Sequence, residues 1–315
     1  MTRQPVLVTR RLAPGVLDRL AASCAVTAHD DDLPMPRADL LAAARGSAAV
    51  LATLDDVVDA EFLDAAGPGL RIVANHAVGT HNIDVAACAA RGVVATNTPG
   101  VLTAATADHA FALLLAAARR LGEGERWLRA GRPWTWAPNF LLGMELSGAR
   151  LGVLGMGRIG RAVARRAAGF DMSVSYHNRR PLPDQPDAQW LPLPELLSTA
   201  QVLVVSCPLT DETRGLLDAA RLALLPAGAV LVSITAGVVD EVALAAAVES
   251  GALFAAAVDN HVSEPEVTPE LLAQERIVLS PHLGSATVHT RQAMGNLAVD
   301  NILSVLGGNP PLTGV

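Results

Sequence analysis

The sequence predicts an α/β fold built from two doubly wound parallel-sheet domains. Short apolar runs typical of buried strands alternate with helical segments along most of the chain. A proline–glycine break, NTPG at 97–100, separates two such series. The length of 315 residues suits two domains rather than one, and an apolar content of 51% is enough to fill two cores.

The first series runs from residue 5 to residue 95. Its predicted strands are 5–9, 48–53, 70–75 and 93–95, and its predicted helices are 15–22, 40–45, 61–66 and 85–91. The loop HAVGTHNID (76–84) directly follows the third of these strands. Because ligands bind at the carboxyl ends of parallel strands, we expect this loop to contact a ligand.

A long helix is predicted over 103–121, directly after the break. It is apolar on nearly all sides, which favours burial between domains or between subunits. The irregular segment 122–140 follows it and contains Trp127, Trp134 and Trp136. This segment is interpreted either as a packed surface loop or as an apolar wall over a ligand cleft.

The second series begins at Leu151. Its further predicted strands are 172–180, 202–206, 229–234, 253–258 and 276–280, its helices are 194–200, 215–225 and 240–250, and its loop is 181–186. A final helix over 286–306 would cross back to the first domain. The predicted domains are therefore residues 1–99 with 287–315, and residues 100–286.

The stretch LGVLGMGRIGR (151–161) passes from a strand through a glycine turn into a helix. Gly155 allows the turn, Gly157 lets a pyrophosphate approach the backbone, and Gly160 lets helix and strand pack closely. The helix N-terminus adds N–H donors and the positive end of its dipole. This pattern predicts a Rossmann-like dinucleotide site; a tight strand–helix turn without a ligand is the alternative.

The end of the next strand indicates which dinucleotide is bound. NAD-binding proteins usually place a carboxylate there for the ribose hydroxyls, but this chain has Asn178, Arg179 and Arg180. Two guanidinium groups can bind a ribose 2′-phosphate bidentately. We therefore predict NADP(H) as the preferred cofactor, with NAD(H) as the alternative cofactor; the two arginines could also merely solvate the strand end.

Composition excludes several other classes of protein. The net charge is −7 without a basic face, which argues against nucleic acid as a partner. All 24 basic residues are arginine, so neither a Walker-type phosphate lysine nor a Schiff base is available. Cys24, Cys88 and Cys207 are widely spaced and form no CxxC pair, which predicts buried thiols in a reducing compartment and no metal site. With no signal peptide and no apolar run of membrane-spanning length, the predicted location is cytoplasmic, away from membranes.

Two further residues are candidates for acid–base chemistry. His282 stands just after the strand RIVLS, and Glu264 follows another strand of the same series. A carboxylate beside a histidine stabilises the imidazolium and raises the histidine pKa. Such a pair suits a general acid that protonates a carbonyl oxygen as a hydride arrives.

The order of motifs along nearly the whole chain resembles the D-isomer-specific 2-hydroxyacid dehydrogenase family, and within it most closely the glyoxylate and hydroxypyruvate reductase branch. The motifs are NHAVGTHNID, NTPGVLTAATADHAFALLLAAARR, LGVLGMGRIGRAVARRAAGFDM, CPLTDETRGLL, VVDEVAL, VDNHVSEP and SPHLGSAT. The resemblance implies a flavodoxin-like substrate-binding domain, a dinucleotide-binding domain and a homodimer formed through the 103–121 helix. It also implies NAD(P)-dependent oxidation or reduction of a small hydroxyacid or carbonyl substrate.

The resemblance also assigns site residues. His282 would be the acid/base and Glu264 its partner, while the backbone N–H groups of Val78 and Gly79, with His81 in the same loop, would bind a substrate carboxylate. Asp259 would hold the nicotinamide end, although Cys207, placed beside the adenosine, is equally interpreted as a core thiol. The assigned cofactor residues are Gly155, Gly157, Arg158, Ile159, Gly160, Asn178, Arg179, Arg180, Cys207, Pro208, Ile234, Thr235, Ala236, Asp259, His282 and Gly284.

The chain departs from the family pattern at two places. His81 stands where the family loop has its first aspartate. The segment 233–240 is one residue shorter than in the family and lacks its catalytic arginine, so that Ala236 takes its place. Loss of such a charge-assisted hydrogen bond costs on the order of 2–4 kcal/mol, roughly a 30- to 1000-fold loss of rate.

Three explanations of the missing arginine stay open, and each gives a different function. Another group, such as His81 or Arg291, replaces it, and the protein reduces a glyoxylate- or hydroxypyruvate-like 2-oxoacid by hydride transfer in an interdomain cleft. Alternatively, the substrate is a carbonyl compound of a specialised pathway that lacks the carboxylate. In the third explanation the chain is a catalytically silent protein that senses NADP(H).

Overall fold

The computed structural model describes residues 3–184 and 187–315. Met1 and Thr2, together with Gln185 and Pro186 of the predicted loop 181–186, lie outside the described residues. The chain forms two compact units. The first comprises Met1–Leu102 and Ala286–Val315, and the second comprises Thr103–Ser285.

A five-stranded parallel sheet organises the first unit. Its strands are β1 (Pro5–Val8), β2 (Ala25–Ala28), β3 (Ala49–Ala52), β4 (Ile72–Asn75) and β5 (Val94–Thr96). The helices of this unit are α1 (Val16–Ala21), α2 (Arg37–Ala44), α3 (Ala60–Ala66), α4 (Val85–Ala90) and α12 (Val288–Leu306). The strand order β2-β1-β3-β4-β5 is the flavodoxin-like order.

Side chains that alternate along each strand of this sheet fill two separate cores. On one face, Val6 and Val8 of β1 pack in a cluster with Ile302 of α12. On the other face, Leu7 packs in a cluster with Phe62 of α3. The strands β1, β3 and β4 are buried on both sides, whereas the edge strand β2 is mostly exposed, and α12 completes the core of the first unit.

The second unit contains a seven-stranded parallel sheet. Its strands are β6 (Arg150–Leu154), β7 (Ser173–His177), β8 (Gln189–Trp190), β9 (Val202–Val205), β10 (Ala229–Ser233), β11 (Leu253–Val258) and β12 (Ile277–Leu279). The strand order is β12-β11-β10-β9-β6-β7-β8. The chain first adds β7 and β8 on one side of β6 and then adds β9 to β12 on the other side, so the order switches between β6 and β9. This reversal is the switch point at which Rossmann folds bind ligands.

The helices of the second unit cover both faces of its sheet. They are α5 (Thr103–Ala118), α6 (Leu121–Arg129), α7 (Arg158–Ala167), α8 (Leu193–Thr199), α9 (Ala219–Leu222), α10 (Glu241–Glu249) and α11 (Pro269–Leu272). Helix α5 packs on β10, β11 and α7. The apolar character of α5 is therefore explained by burial within its own unit. Exposed apolar side chains are found in the following segment, 121–142, and include Leu128, Trp134, Trp136 and Leu142.

Two predicted helices end differently in the structure. The helix predicted over 103–121 stops at Ala118 because Arg120 adopts left-handed backbone angles (φ 54°), and the separate helix α6 then begins. The helix predicted over 215–225 shrinks to α9. Gly215 has a positive φ of 60°, and Leu217 forms a parallel bridge with Val239 instead of joining a helix.

The predicted fold class of two doubly wound parallel-sheet domains is confirmed. All three cysteines are buried and carry free thiols. Among the helices of the described residues, none combines the length and the apolar character that a bilayer crossing needs. The same part of the chain contains no cluster of histidine, cysteine and acidic side chains that could hold a metal ion.

Candidate active site

The glycine turn after β6 contains two glycines that the protein needs for its own packing. A Cβ on Gly155, where φ is +100°, would lie 2.4 Å from the backbone nitrogen of Cys207. A Cβ on Gly160 would lie 2.2 Å from the carbonyl oxygen of Gly155. Both contacts are far below van der Waals separation, so only glycine fits at these positions.

Gly157 differs from its two neighbours because a Cβ there would meet nothing within 4 Å. It is the N-cap of α7, whose first-turn N–H groups point toward this space. Open space at a helix N-terminus fits the pyrophosphate of a dinucleotide. Arg158 is exposed and the side chain of Ile159 is half-buried at the start of the same helix.

Asn178 ties the end of β7 to the glycine turn, since its Oδ1 accepts a hydrogen bond from the Met156 N–H at 2.7 Å. Arg179 and Arg180 follow it on the surface. The Arg179 guanidinium lies 3.2 Å from Glu212, and both side chains are largely exposed. Exposed pairs of this kind contribute little, so these guanidinium groups can reorient toward an anion.

Cys207 lies behind the turn, and burial raises the pKa of its thiol to about 11. The thiol is therefore protonated at neutral pH and chemically inert. The next residue, Pro208, is exposed. Cys207 thus contributes its backbone, against which Gly155 packs.

The shortened segment after β10 carries no charged side chain as far as Val239. Ser233 ends the strand, and its hydroxyl donates to the carbonyl oxygen of Thr235 at 3.0 Å. Ile234 is buried, whereas Thr235 and Ala236 are half-buried. Ala236 offers only a methyl group where the resemblance implies an arginine.

His282 and Glu264 lie together at the carboxyl edge of this sheet. The imidazole Nδ1 is 2.9 Å from Oε2 of Glu264, and about a third of each side chain is exposed. Because a carboxylate can only accept, Nδ1 carries a proton and donates it. Nε2 is then the nitrogen that can exchange a proton with a ligand.

The carboxyl of Glu264 is held in its ionised form. Burial by itself raises the pKa of Glu264. The hydrogen bond and charge of His282, together with the backbone N–H and charge of His261, lower this pKa by more than burial raises it, so the net change is a decrease. The His261 N–H donates to Oε1 at 2.9 Å. Both carboxylate oxygens therefore have donors.

Asp259 shapes the loop that carries His282. His282 itself has a left-handed backbone (φ 55°), and its N–H donates to the carbonyl oxygen of Asp259 at 2.8 Å. The Asp259 carboxylate accepts from the N–H groups of Leu283 at 2.8 Å and Gly284 at 2.9 Å. A buried carboxylate with several donors fixes a backbone conformation that costs on the order of 1–3 kcal/mol.

His109 of α5 also contacts this carboxylate, and sequence reasoning did not assign it to the site. Its Nε2 lies 3.0 Å from Oδ1 of Asp259 and 2.9 Å from the hydroxyl of Ser280. The carboxylate cannot donate, so Nε2 carries a hydrogen. The signal in the sequence was a histidine in the first half of a largely apolar helix.

Glu241 is a second residue that sequence reasoning missed. It is buried at the first position of α10, where its carboxylate accepts from the Val262 N–H at 3.1 Å and from the hydroxyl of Thr268. These two contacts bracket the irregular segment that carries Glu264. Glu241 therefore holds that segment against α10.

The loop 76–84 of the first unit rests on a buried network of amides. Asn75 donates to the carbonyl oxygen of Gly79 at 2.9 Å and to Oδ1 of Asn82 at 3.0 Å. The carbonyl oxygen of Val78 accepts from the Asn97 side chain at 2.8 Å. Within the described ranges, no group accepts from the N–H of Val78 or of Gly79, so both can bind an anion. His81 is exposed at the tip of the loop.

His76, at the base of this loop, makes stability depend on pH. Burial lowers its pKa to about 4, and its ring donates from Nε2 to the carbonyl oxygen of Arg291 at 3.2 Å. The unfolded chain binds this proton near pH 6.5 and the folded chain only near pH 4. The free energy of unfolding therefore decreases as pH falls through this window, and at about pH 5 it is about 2 kcal/mol lower than at neutral pH.

Urea unfolding near neutral pH and at about pH 5 measures this effect. We expect His76→Gln to lose about 2 kcal/mol of the pH dependence. The exposed His289→Gln is the control and should keep the slope of the parent protein. An unchanged slope in His76→Gln would contradict the assignment.

Comparison with known proteins finds relatives over almost the whole chain. Residues 111–284 match the family model for the NAD-binding domain of D-isomer-specific 2-hydroxyacid dehydrogenases. The chain is 39% identical to a glyoxylate reductase of Pyrococcus furiosus over 317 residues, which is 98% of this chain and 94% of the relative.

Two solved structures are also similar. The TT0316 protein from Thermus thermophilus superposes with a TM-score of 0.94 at 43% identity. The match covers 99% of this chain and 100% of the TT0316 chain. The NADPH-dependent glyoxylate/hydroxypyruvate reductase from Sinorhizobium meliloti, solved with NADP and malonate, has a TM-score of 0.87 at 34% identity and covers 100% of this chain and 97% of its own.

The matches extend over almost the whole chain and include both units. The glycine turn at the switch point lies within residues 111–284, the part of the chain that matches the NAD-binding domain, and the chain is an NAD(P)-dependent oxidoreductase. The protein is a member of the D-isomer-specific 2-hydroxyacid dehydrogenase family, in its glyoxylate reductase branch.

Proposed function

We propose that the protein reduces a small 2-oxoacid of the glyoxylate or hydroxypyruvate type, with NADP(H) as its preferred cofactor. The observation that carries this proposal is the His282–Glu264 pair, held at 2.9 Å on the same sheet as the glycine turn. The names of the relatives support the substrate class. We assign substrate binding to the first unit and dinucleotide binding to the second.

In this mechanism the reduced dinucleotide, when bound, supplies a hydride to the carbonyl carbon. Gly157 and the first turn of α7 would hold the pyrophosphate, and Arg179 and Arg180 the ribose 2′-phosphate. Nε2 of His282 donates a proton to the carbonyl oxygen while Glu264 stabilises the imidazolium. The N–H groups of Val78 and Gly79 would bind the substrate carboxylate, and exclusion of water would strengthen each of these contacts.

The missing arginine makes the substrate the first property to test. Oxidation of NADPH and NADH by the purified protein is measured against glyoxylate, hydroxypyruvate and uncharged ketones. We expect turnover of the 2-oxoacids with NADPH. Turnover of the ketones alone would favour a substrate without a carboxylate, which is one of the open explanations of the missing arginine. Tight NADPH binding without turnover of any substrate would favour the alternative that the protein senses the nucleotide and does not catalyse the reduction.

The cofactor preference depends on exposed arginines, so it can be tested without disturbing the fold. We expect the double variant Arg179→Ser, Arg180→Ser to lose about 10- to 100-fold in kcat/KM for NADPH. A hydrogen bond to a charged group contributes about 1.5–3 kcal/mol, and this contribution is smaller at an exposed site. The KM for NADH should hardly change. Arg214→Ser, at another exposed arginine, is the control. Equal losses for both cofactors would contradict a 2′-phosphate site.

Homodimerisation through the 103–121 region also stays a prediction. The exposed apolar side chains of 121–142 directly follow that region and would be covered in such a dimer. Light scattering of the purified protein measures the oligomeric state.

His81 and Arg291 are the two candidates to replace the missing arginine. Substitution of each residue, followed by measurement of turnover, decides between them.

A further inference from the structure

Asn260 contacts the His282 ring and has no part in the mechanism above. It follows Asp259 directly after β11, and its side chain is half-buried. Its amide nitrogen Nδ2 lies 2.9 Å from Nε2 of His282 and 3.2 Å from Nδ1. The strands β11 and β12 pair in parallel through Val258 and Leu279, which brings both residues to one edge of the sheet.

These two distances define how the amide meets the ring. An atom at nearly the same short distance from both ring nitrogens cannot lie in the ring plane, because it would overlap the Cε1–H between them. The amide of Asn260 therefore lies over the face of the imidazole. It does not occupy the in-plane direction along which Nε2 donates a hydrogen bond.

We propose that the Asn260 amide is the second donor to the carbonyl oxygen of the substrate. An oxygen in the ring plane and about 2.9 Å from Nε2 would lie about 4 Å from Nδ2. An oxygen shared by the two donors therefore lies out of that plane, on the amide side, and takes a bent hydrogen bond from Nε2. One oxygen can thus accept from both groups. This inference rests on the proposed reduction and names the group that polarises its carbonyl.

The reaction step remains balanced with this second donor. The carbonyl carbon gains a C–H bond with the hydride, and the reduced dinucleotide is oxidised. The C=O π bond breaks, and its electron pair stays on oxygen, which takes the proton of Nε2. Asn260 keeps both of its amide hydrogens and only stabilises the negative charge that develops on the oxygen.

The charges around the ring explain why a donor is needed there. Glu264 and Asp259 are acidic and both lie near His282, so they oppose negative charge on a substrate oxygen. His261 directs its N–H to Glu264 and its Nε2 to the carbonyl oxygen of Ser280. Ala236 offers no donor, whereas the Asn260 amide is a side-chain donor that the second unit places beside Nε2.

Two substitutions test the proposal, Asn260→Leu and the nearly isosteric Asn260→Asp. Loss of one oxyanion donor lowers kcat by about 10²–10³-fold, and we expect this loss in both variants. The aspartate variant should be the slower of the two because its carboxylate repels the oxyanion. The exposed Ser263→Ala in the same segment is the control and should keep the kcat of the parent protein.

A binding measurement provides a readout that does not depend on turnover. Oxamate has a carboxylate and a carbonyl oxygen but is not reduced, so calorimetry with the NADPH-bound protein gives its Kd. We expect both variants to bind oxamate about tenfold or more weakly, the effect of one lost hydrogen bond. Acetate lacks the carbonyl oxygen and should bind equally well to all variants.

The outcomes separate this inference from the proposed function. Parent-like kcat and oxamate Kd in both variants would overturn the role of Asn260, while a loss of turnover in His282→Ala would still support the reduction. A fall in kcat with unchanged oxamate binding and a shifted pH–rate profile would show that Asn260 only orients the ring. A parent protein without turnover on any carbonyl compound would overturn the proposed function itself.

Discussion

Replacing His282 with alanine is expected to lower kcat by about 10²–10⁴-fold, the usual contribution of a general acid. The proton for the carbonyl oxygen would then have to come from water. The affinity for NADPH should change much less than kcat, because the positions assigned to the pyrophosphate and the 2′-phosphate lie at β6, α7 and β7, away from β12 in the sheet. Stopped-flow measurement of NADPH oxidation, combined with fluorescence titration of NADPH, gives both quantities.

Glu264→Gln is the matched variant for this experiment. It keeps the size of the side chain but removes the charge that stabilises the imidazolium, so the pH–rate profile should move to lower pH. The aspartate at 240, which caps α10 through the Ala243 N–H, is also acidic but serves only the helix, and Asp240→Asn should not move the profile. Full turnover in His282→Ala would end the proposed mechanism.

The three glycines of the turn are expected to respond to alanine in opposite ways. In Gly160→Ala the new methyl group would lie 2.2 Å from a backbone oxygen, and the backbone has to move. Overpacking of this kind costs about 1–3 kcal/mol and sometimes more, so the free energy of unfolding should fall by at least that amount. Gly155→Ala should behave alike, with a positive φ as an added cost.

Gly157→Ala should instead fold normally. The φ of Gly157 is −84°, which alanine adopts readily, and a Cβ there has no neighbour within 4 Å. The methyl group would, however, occupy the space assigned to the pyrophosphate, and NADPH should bind at least about tenfold more weakly, or about 1.4 kcal/mol. Urea unfolding and NADPH titration of all three variants distinguish the two effects. Unimpaired NADPH binding by Gly157→Ala would refute this placement of the cofactor.

Most of the fold could be predicted because buried parallel strands are apolar without interruption. Strands such as VLVV at 202–205 are buried at every position, and their sequence leaves no other interpretation. The edge strand β2 was missed because AVTA is mostly exposed and too short to show a pattern. Helix α6 was missed because Gly122 and Gly124 disfavour a helix, and its residues were therefore included in the irregular segment 122–140.

The site could be predicted only where a motif fixes the chemistry. The glycine spacing and the strand-end positions of Glu264 and His282 are visible in the sequence. The contacts of Asn260, His109 and Glu241 are not, because each arises from elements distant in the chain. His109, for example, is 150 positions before Asp259 and meets it only after α5 has packed on the sheet. Side chains whose role is to position others have no local signature.

The first unit is interrupted in sequence, and this has a consequence for synthesis on the ribosome. Its last helix, α12, supplies Ala298, Val299, Ile302 and Val305 to the face formed by β1, β3 and β4. That face is covered only in part, by α1, until residues 288–306 have emerged, whereas all residues of the second unit lie within 103–285. We therefore expect the unit that is translated in the middle to fold first, and the first unit to complete its core only after its final helix has been synthesised.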